Sequence, residues 1–410
     1  MIRQIKELNI VSVLIRVSGM SGKFLMVIAM ASKLSLTSVG LWGLISAFVL
    51  LTTFLLGLEM HTYYTPKISS QADDNRLLIQ NIKGIVFIRI ISFSLIYIIA
   101  LPIIDNFISG YGLEILVIVI LDSTSQEINR FLVAKGKIIQ SNLVIALRSG
   151  LWCFFVLAFW YLFQMHDNFN LVLLLWAIFS FISVLIGLSF DLDIRKIEQL
   201  RIDKLLEIIN YSRFYIASSA SMRSAFFLDK LIISYFLGRE LLGIYTMFQT
   251  VFNSILSFIE AGILSKYFNH SSKTYFQNGL DGLIKCSSHY KKIILSSASF
   301  LIICLFFLLI CYFYFVNQIS FLQNWLGLLI FMLSAIPFLV GQMVMINLNI
   351  LDAGQENMKT KFYSAFSYLL FLLLASFKFV SFFVLAGGIM IFSILSWLIS
   401  QYFFNSITNR

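Results

Sequence analysis

The sequence predicts an all-α polytopic membrane protein, with about 12 transmembrane helices in two six-helix bundles around a central cavity. Three observations predict it. Of the 410 residues, 59% are hydrophobic and 12% charged, and the mean hydropathy is +0.90; soluble domains carry about a quarter charged residues. The apolar residues gather in runs of about 20, enough for a helix to cross the hydrocarbon core. A barrel would show alternating segments of about ten instead. Finally, the basic residues between the runs fall almost wholly on one side.

The first span is 8–31. Its basic start, MIRQIK, imitates a signal peptide, but Arg16 and Lys23 interrupt the apolar stretch and no small-residue cleavage pattern follows. It is read as a retained membrane helix. Spans 38–60, 82–104, 112–134, 140–164 and 170–190 complete an N-terminal six-helix bundle, 1–193. The segment 194–210 places apolar residues at helical spacing among charges and reads as a cytoplasmic interfacial linker helix. Spans 211–237, 241–264, 292–316, 323–349, 361–379 and 381–404 form the C-terminal bundle, 211–410, with only FKFVS dividing the last two. No connection exceeds about 27 residues, which leaves no room for a folded soluble domain.

With the N-terminus in the cytoplasm, nineteen basic residues in the tails, the connections and the span ends lie on the cytoplasmic side and only Lys33, Arg239 and Lys378 opposite. This positive-inside bias places both termini in the cytoplasm and requires an even number of spans. The formal charge of +10 does not indicate nucleic-acid binding, because the basic residues flank or enter apolar runs instead of forming a soluble patch. Cys153, Cys286, Cys304 and Cys311 show no metal-ligand spacing and no disulfide framework, and read as small buried hydrophobes.

The halves repeat a pattern. Arg16 is followed seven residues later by Lys23, and Arg223 seven residues later by Lys230. GLW (40–42) matches GIY (243–245), and each following helix ends near an acid, Glu59 or Glu260. Parallel repeats of this kind recur in transporters, with the substrate site between the halves.

Eight basic residues lie inside spans: Arg16, Lys23, Arg89, Arg130, Arg148, Arg213, Arg223 and Lys230. The acids there are Glu59, Asp122, Glu127, Asp229 and Glu260. One charge at a helix centre costs about 2.5–3.5 kcal/mol on insertion scales, so these groups must line a wet cavity, pair with one another or reach the interface. Arg130 has Glu127 three residues before it, the spacing of a local ion pair. Arg213 lies near the cytoplasmic interface. Asp229 and Lys230 are neighbours in sequence and point apart on a helix, so Asp229 is expected to pair with another helix.

Residues seven apart share a helix face, so Arg16/Lys23 and Arg223/Lys230 form two basic stripes, with Arg89 and Arg148 further basic candidates. Such a cavity suits an anion, because guanidinium groups hold phosphate oxygens through forked hydrogen bonds. Gln249, Asn253, Gln342, Asn347 and Asn349 are equally suited to contacting sugars or to hydrogen bonds between helices.

GLWGLISAFVLLTTFLLGLEM after a charged first span, and FFLDKLIISYFLGRELLGIYTMFQTVFNSIL opening the second half, resemble the Wzx-type O-antigen flippases. These belong to the multidrug/oligosaccharidyl-lipid/polysaccharide (MOP) exporter superfamily. The resemblance implies a MATE/MOP-like fold in a bacterial inner membrane. It implies transfer of an undecaprenyl-pyrophosphate-linked oligosaccharide from the cytoplasmic to the periplasmic leaflet by alternating access. Arg16, Lys23 and Arg223 carry over as head-group residues; Arg148, Lys230 and Arg89 join them on burial. Glu59, Asp122, Asp229 and Glu260 are left as ion-coupling residues or structural ion pairs. No cofactor is expected, and coupling to protons, sodium ions or the membrane potential stays open. The implied partners are the lipid-linked oligosaccharide, membrane lipids, a polysaccharide polymerase and a chain-length regulator, with no nucleic acid. Two other functions were weighed. A cation or drug antiporter of the same fold needs an acidic or aromatic cavity, and a membrane polymerase or glycosyltransferase needs a sizeable outside loop, which DNFISGYG, QMHDNFN and VNQISFLQ do not supply.

Overall fold

The computed structural model describes residues 2–57, 59, 91, 93–95, 97–98, 110–135, 137–163, 169–190, 202–315, 323–351, 353–378 and 382–408, and its regular structure is helical throughout. The chain divides into two compact units, Met1–Ile216 and Ala217–Arg410. Among the described residues six helical stretches are long and apolar enough to cross a membrane. The expected span 82–104 lies outside the described residues, apart from six helical positions between 91 and 98.

The first unit contains α1 (Ile2–Lys33), α2 (Leu36–Gly57), α3 (Gly112–Ala134), α4 (Ile138–Ala146), a π turn (Leu147–Leu151), α5 (Trp152–Leu162) and α6 (Phe169–Ser189). Ser35 separates the first two helices: its carbonyl accepts the Val39 N–H, and its hydroxyl caps the Ser38 N–H at 3.1 Å. Helix α1 packs on α4, the π turn and α5, while α3 packs on α2 and α6. Ile128, Leu132, Val144 and Val184 close the α3/α4/α6 contact. The crossing of α1 with the π turn uses glycines. A Cβ on Gly150 would lie 1.7 Å from the Gly19 carbonyl oxygen, and one on Gly22 would lie 2.7 Å from the Gly150 oxygen. Small residues let membrane helices approach this closely. Gly150→Ala is therefore expected to force the helices apart at a cost of about 1–3 kcal/mol or more, read as a lowered Tm in detergent; an unchanged Tm would show that the crossing can give way.

Helix α7 (Ile202–Leu237) runs unbroken across the boundary between the units. The described part of the expected linker, 202–210, is thus the first two turns of a long helix. No glycine or proline interrupts the chain before Gly238, whose φ of 88° ends the helix. The remainder of 194–201 lies outside the described residues.

The second unit continues with α8 (Arg239–Ile259), a π turn (Glu260–Leu264), α9 (Ser265–Phe315), α10 (Trp325–Ile350), α11 (Gly354–Lys378) and α12 (Phe382–Thr408). Helix α10 lies centrally, packed on α8, α9, α11 and α12. The stretch 265–291, read from sequence as a cytoplasmic connection, is helical, and Gly279 (φ 64°) breaks it. Its polarity hid a buried face: Leu283 packs with Val344, Leu348, Ala353 and Phe404. As one straight helix, the 74 residues of Arg239–Tyr312 would reach roughly 110 Å, several times the hydrocarbon core; the break at Gly279 divides it. Cys153 and Cys286 are buried as expected, whereas Cys304 and Cys311 are exposed.

Candidate functional site

The charged residues inside the spans form separate clusters in the two units. In the first unit the π turn carries Arg148 toward α3. Its Nη1 contacts the Asp122 carboxylate at 3.0 Å and the Asp122 carbonyl and Gln126 Oε1 at 3.2 Å each. Lys23 from α1 also interacts electrostatically with Asp122 and lies 5.8 Å from the centre of the Trp42 ring. Trp42, Trp152 and Trp176 contact one another at 5.2–5.8 Å and wall this region with aromatic surface. Two cations share one carboxylate, so these three groups carry one net positive charge.

In the second unit one acid and one base pair closely. Asp229 is fully buried and Lys230 nearly so, and their side chains meet at 3.4 Å. Tyr245 and Tyr368 donate to Asp229 Oδ2 at 2.6 and 2.9 Å, and their hydroxyls lie 2.7 Å apart. Two phenol protons serve three oxygen–oxygen contacts, so one donor is bifurcated. Lys230 also donates to the Phe226 carbonyl at 2.9 Å and lies 5.9 Å from the Tyr245 ring centre. The lysine-over-ring pair therefore recurs, Lys23 with Trp42 and Lys230 with Tyr245, at the positions that the sequence repeat matches. Both are within the range of a cation–π attraction.

The second unit also holds a cavity of about 490 Å³ whose lining includes Glu260, Gln342, Asn349, Asn357 and Lys361 among Met222, Leu264, Phe268, Met345 and Ile346. The π turn that begins at Glu260 forms part of its wall. Asn357 is buried and donates from Nδ2 to Asn349 Oδ1 at 2.6 Å, while its own Oδ1 has no partner.

The ten sequence candidates thus fall in different places. Lys23, Arg148 and Asp122 come together; Lys230 and Asp229 come together; Glu260 lines the cavity. Arg223 is half-buried on α7, and Glu59 stands just after α2 with a φ of 47°. The Arg16 side chain and Arg89 lie outside the described residues. Arg148 and Lys230, expected as cavity cations, each contact a carboxylate, which offsets the cost of burying their charge. Asp229 contacts other helices as expected, but it pairs with its sequence neighbour as well, because the long lysine side chain bends back along the helix. Arg130 pairs with Glu127 at 2.7 Å, as their spacing predicts. Arg213 is exposed and bonds to Asn210 at 3.2 Å. Of the amides considered for sugars, Asn347 instead bonds Tyr267 and Ser287.

Tyr245, Tyr368, Asn357 and Lys361 were not selected from the sequence as site residues. The GIY match could have singled out Tyr245; nothing marks Tyr368, which meets Asp229 across 139 residues of chain.

No family model and no curated protein matches the chain. Solved structures match its fold over almost its whole length. An inward-facing multidrug resistance MATE family transporter of the MOP superfamily aligns with a TM-score of 0.71, 15% identity and coverage of 98% of this chain and 99% of that one. An outward-facing one gives 0.63, 15%, 98% and 96%. A MOP superfamily transporter from Pyrococcus furiosus, described as having a binding pocket of reverse polarity that suggests a different function, gives 0.64, 16%, 98% and 96%. The chain therefore has a fold that solved polytopic membrane transporters share. Among these, the fold it shares is that of the MATE transporters just described.

Proposed function

We propose that the protein is a flippase that moves an anionic, polyprenyl-pyrophosphate-linked oligosaccharide from the cytoplasmic to the periplasmic leaflet of a bacterial inner membrane. One observation carries the anionic assignment: Lys23 and Arg148 converge on Asp122, which gathers two basic side chains in one place inside the spans. Arg223 adds another basic group in the second unit, where Lys230 and Asp229 cancel. On this reading the basic groups attract the pyrophosphate while the polyprenyl tail stays in lipid. Fold neighbours in inward- and outward-facing conformations support alternating access. Outward movement of negative charge across an inside-negative potential is favoured by about 2.3 kcal/mol per charge per 100 mV, which makes potential-driven transport feasible. A polymerase and a chain-length regulator would act on the delivered cargo.

The neighbours' multidrug description favours a second reading, a drug antiporter, and one strain separates the two. In cells that depend on this protein, Arg16→Ala/Arg223→Ala is expected to reduce surface polysaccharide at least tenfold at normal membrane abundance. Unchanged polysaccharide, together with protection from cationic dyes by the unaltered protein, would favour the antiporter.

A further inference from the structure

We propose that the 490 Å³ cavity of the second unit is a subsite for a single sugar ring of the cargo, recognised as an uncharged, hydroxyl-bearing pyranose. The proposal rests on the oligosaccharide reading above and adds where the sugar, as distinct from its pyrophosphate, is held.

The volume lies within the 300–1,000 Å³ range of small-molecule pockets. Its polar lining is rich in amides: Gln342, Asn349 and Asn357 each offer a carbonyl acceptor and an NH₂ donor. Sugar hydroxyls donate and accept at adjacent carbons, and side-chain amides match that pattern. Phe268 supplies apolar surface of the kind on which the C–H face of a pyranose rests. Glu260 and Lys361 line the same space with opposite signs, so the lining favours neither an anion nor a cation by net charge. The first-unit cluster, which gathers Lys23 and Arg148, differs in this respect.

Asn357 is the independent pointer to a ligand. It is only 3% exposed, and its Oδ1 is buried without a hydrogen-bond partner. Its other amide end is committed to the Asn349 side-chain amide at 2.6 Å, so the orphan end is the one left for a ligand. A buried polar atom without a partner is costly, and a ligand hydroxyl bonded to it removes that cost. Glu260 belongs to a π turn, a distortion that occurs frequently at functional sites.

The test uses the full chain in lipid nanodiscs. Saturation-transfer NMR is recorded with glucose, galactose, N-acetylglucosamine and N-acetylgalactosamine, and binding of bare undecaprenyl pyrophosphate is measured in parallel. At least one sugar is expected to receive saturation. Gln342→Leu and Asn357→Leu should weaken its binding tenfold or more, Asn357→Asp should retain it, and all three should bind the bare lipid within twofold of the unaltered protein. A melting scan confirms folding, and Gln342→Leu, which leaves the buried Asn349–Asn357 pair intact, carries the test if Asn357→Leu does not fold. Absence of saturation for every sugar, or sugar binding unaltered by Gln342→Leu, overturns the subsite. Failure of the unaltered protein to bind the bare lipid, with sugar binding present, refutes the anionic-cargo reading and leaves the subsite standing.

Discussion

Asp229→Leu is expected to remove most of the folded protein from the membrane, at a cost of about 3–5 kcal/mol. The Asp229 carboxylate is the common partner of Lys230, Tyr245 and Tyr368. Without it the buried ammonium keeps only the Phe226 carbonyl and the face of the Tyr245 ring, too little to offset its desolvation. Lys230→Met is expected to cost less, since two phenol hydroxyls still donate to the remaining carboxylate. Asp229→Leu/Lys230→Met deletes both charges together, and buried pairs replaced by apolar residues are often neutral. The double variant should therefore recover most of the stability lost by Asp229→Leu. Tm values of the four proteins in one detergent provide the cycle. A double variant no more stable than Asp229→Leu would show that the two charges do not depend on each other.

The bilayer explains which parts of this fold are legible in the sequence. A crossing helix must present about 20 apolar residues, so the middle of each described span stands out, and 112–134 coincides with α3. The ends do not stand out, because a helix continues past the membrane wherever its backbone allows. Helix α11 begins at Gly354, seven residues before the apolar run at 361. That shift turns Asn357 from a connection residue into cavity lining. Neither π turn has a sequence mark, although one carries Arg148 and the other Glu260. Basic residues at repeated positions indicated where charge enters the bilayer, and Lys23 and Lys230 do occupy related places over an aromatic ring. Their carboxylate partners follow no such repeat. Asp122 comes from α3 and Asp229 from α7 itself, so net charge in each unit depends on helix packing that spacing alone does not encode.

The first unit should respond to substitution differently, because Asp122 serves two cations. Asp122→Leu leaves Arg148 with only the Asp122 backbone carbonyl and Gln126, and Lys23 without its carboxylate. A loss of about 3–5 kcal/mol is expected. Arg148→Leu should cost less, since Lys23 still compensates the carboxylate. Arg148→Lys should be tolerated, because every hydrogen bond described for the guanidinium comes from Nη1, and Nε is already buried without a partner. An ammonium offers three donors and removes that orphan. Asp122→Asn then separates charge from shape: it keeps a carbonyl acceptor opposite Arg148 and raises the cluster by one positive charge. For an anionic cargo, binding of undecaprenyl pyrophosphate to this variant should tighten by about twofold to fivefold, the size of one partly screened charge contact. For a cationic cargo the same substitution should weaken binding. Tighter dye binding with no gain for the lipid would reject the flippase assignment directly, since the substitution removes one negative charge and keeps the shape of the side chain.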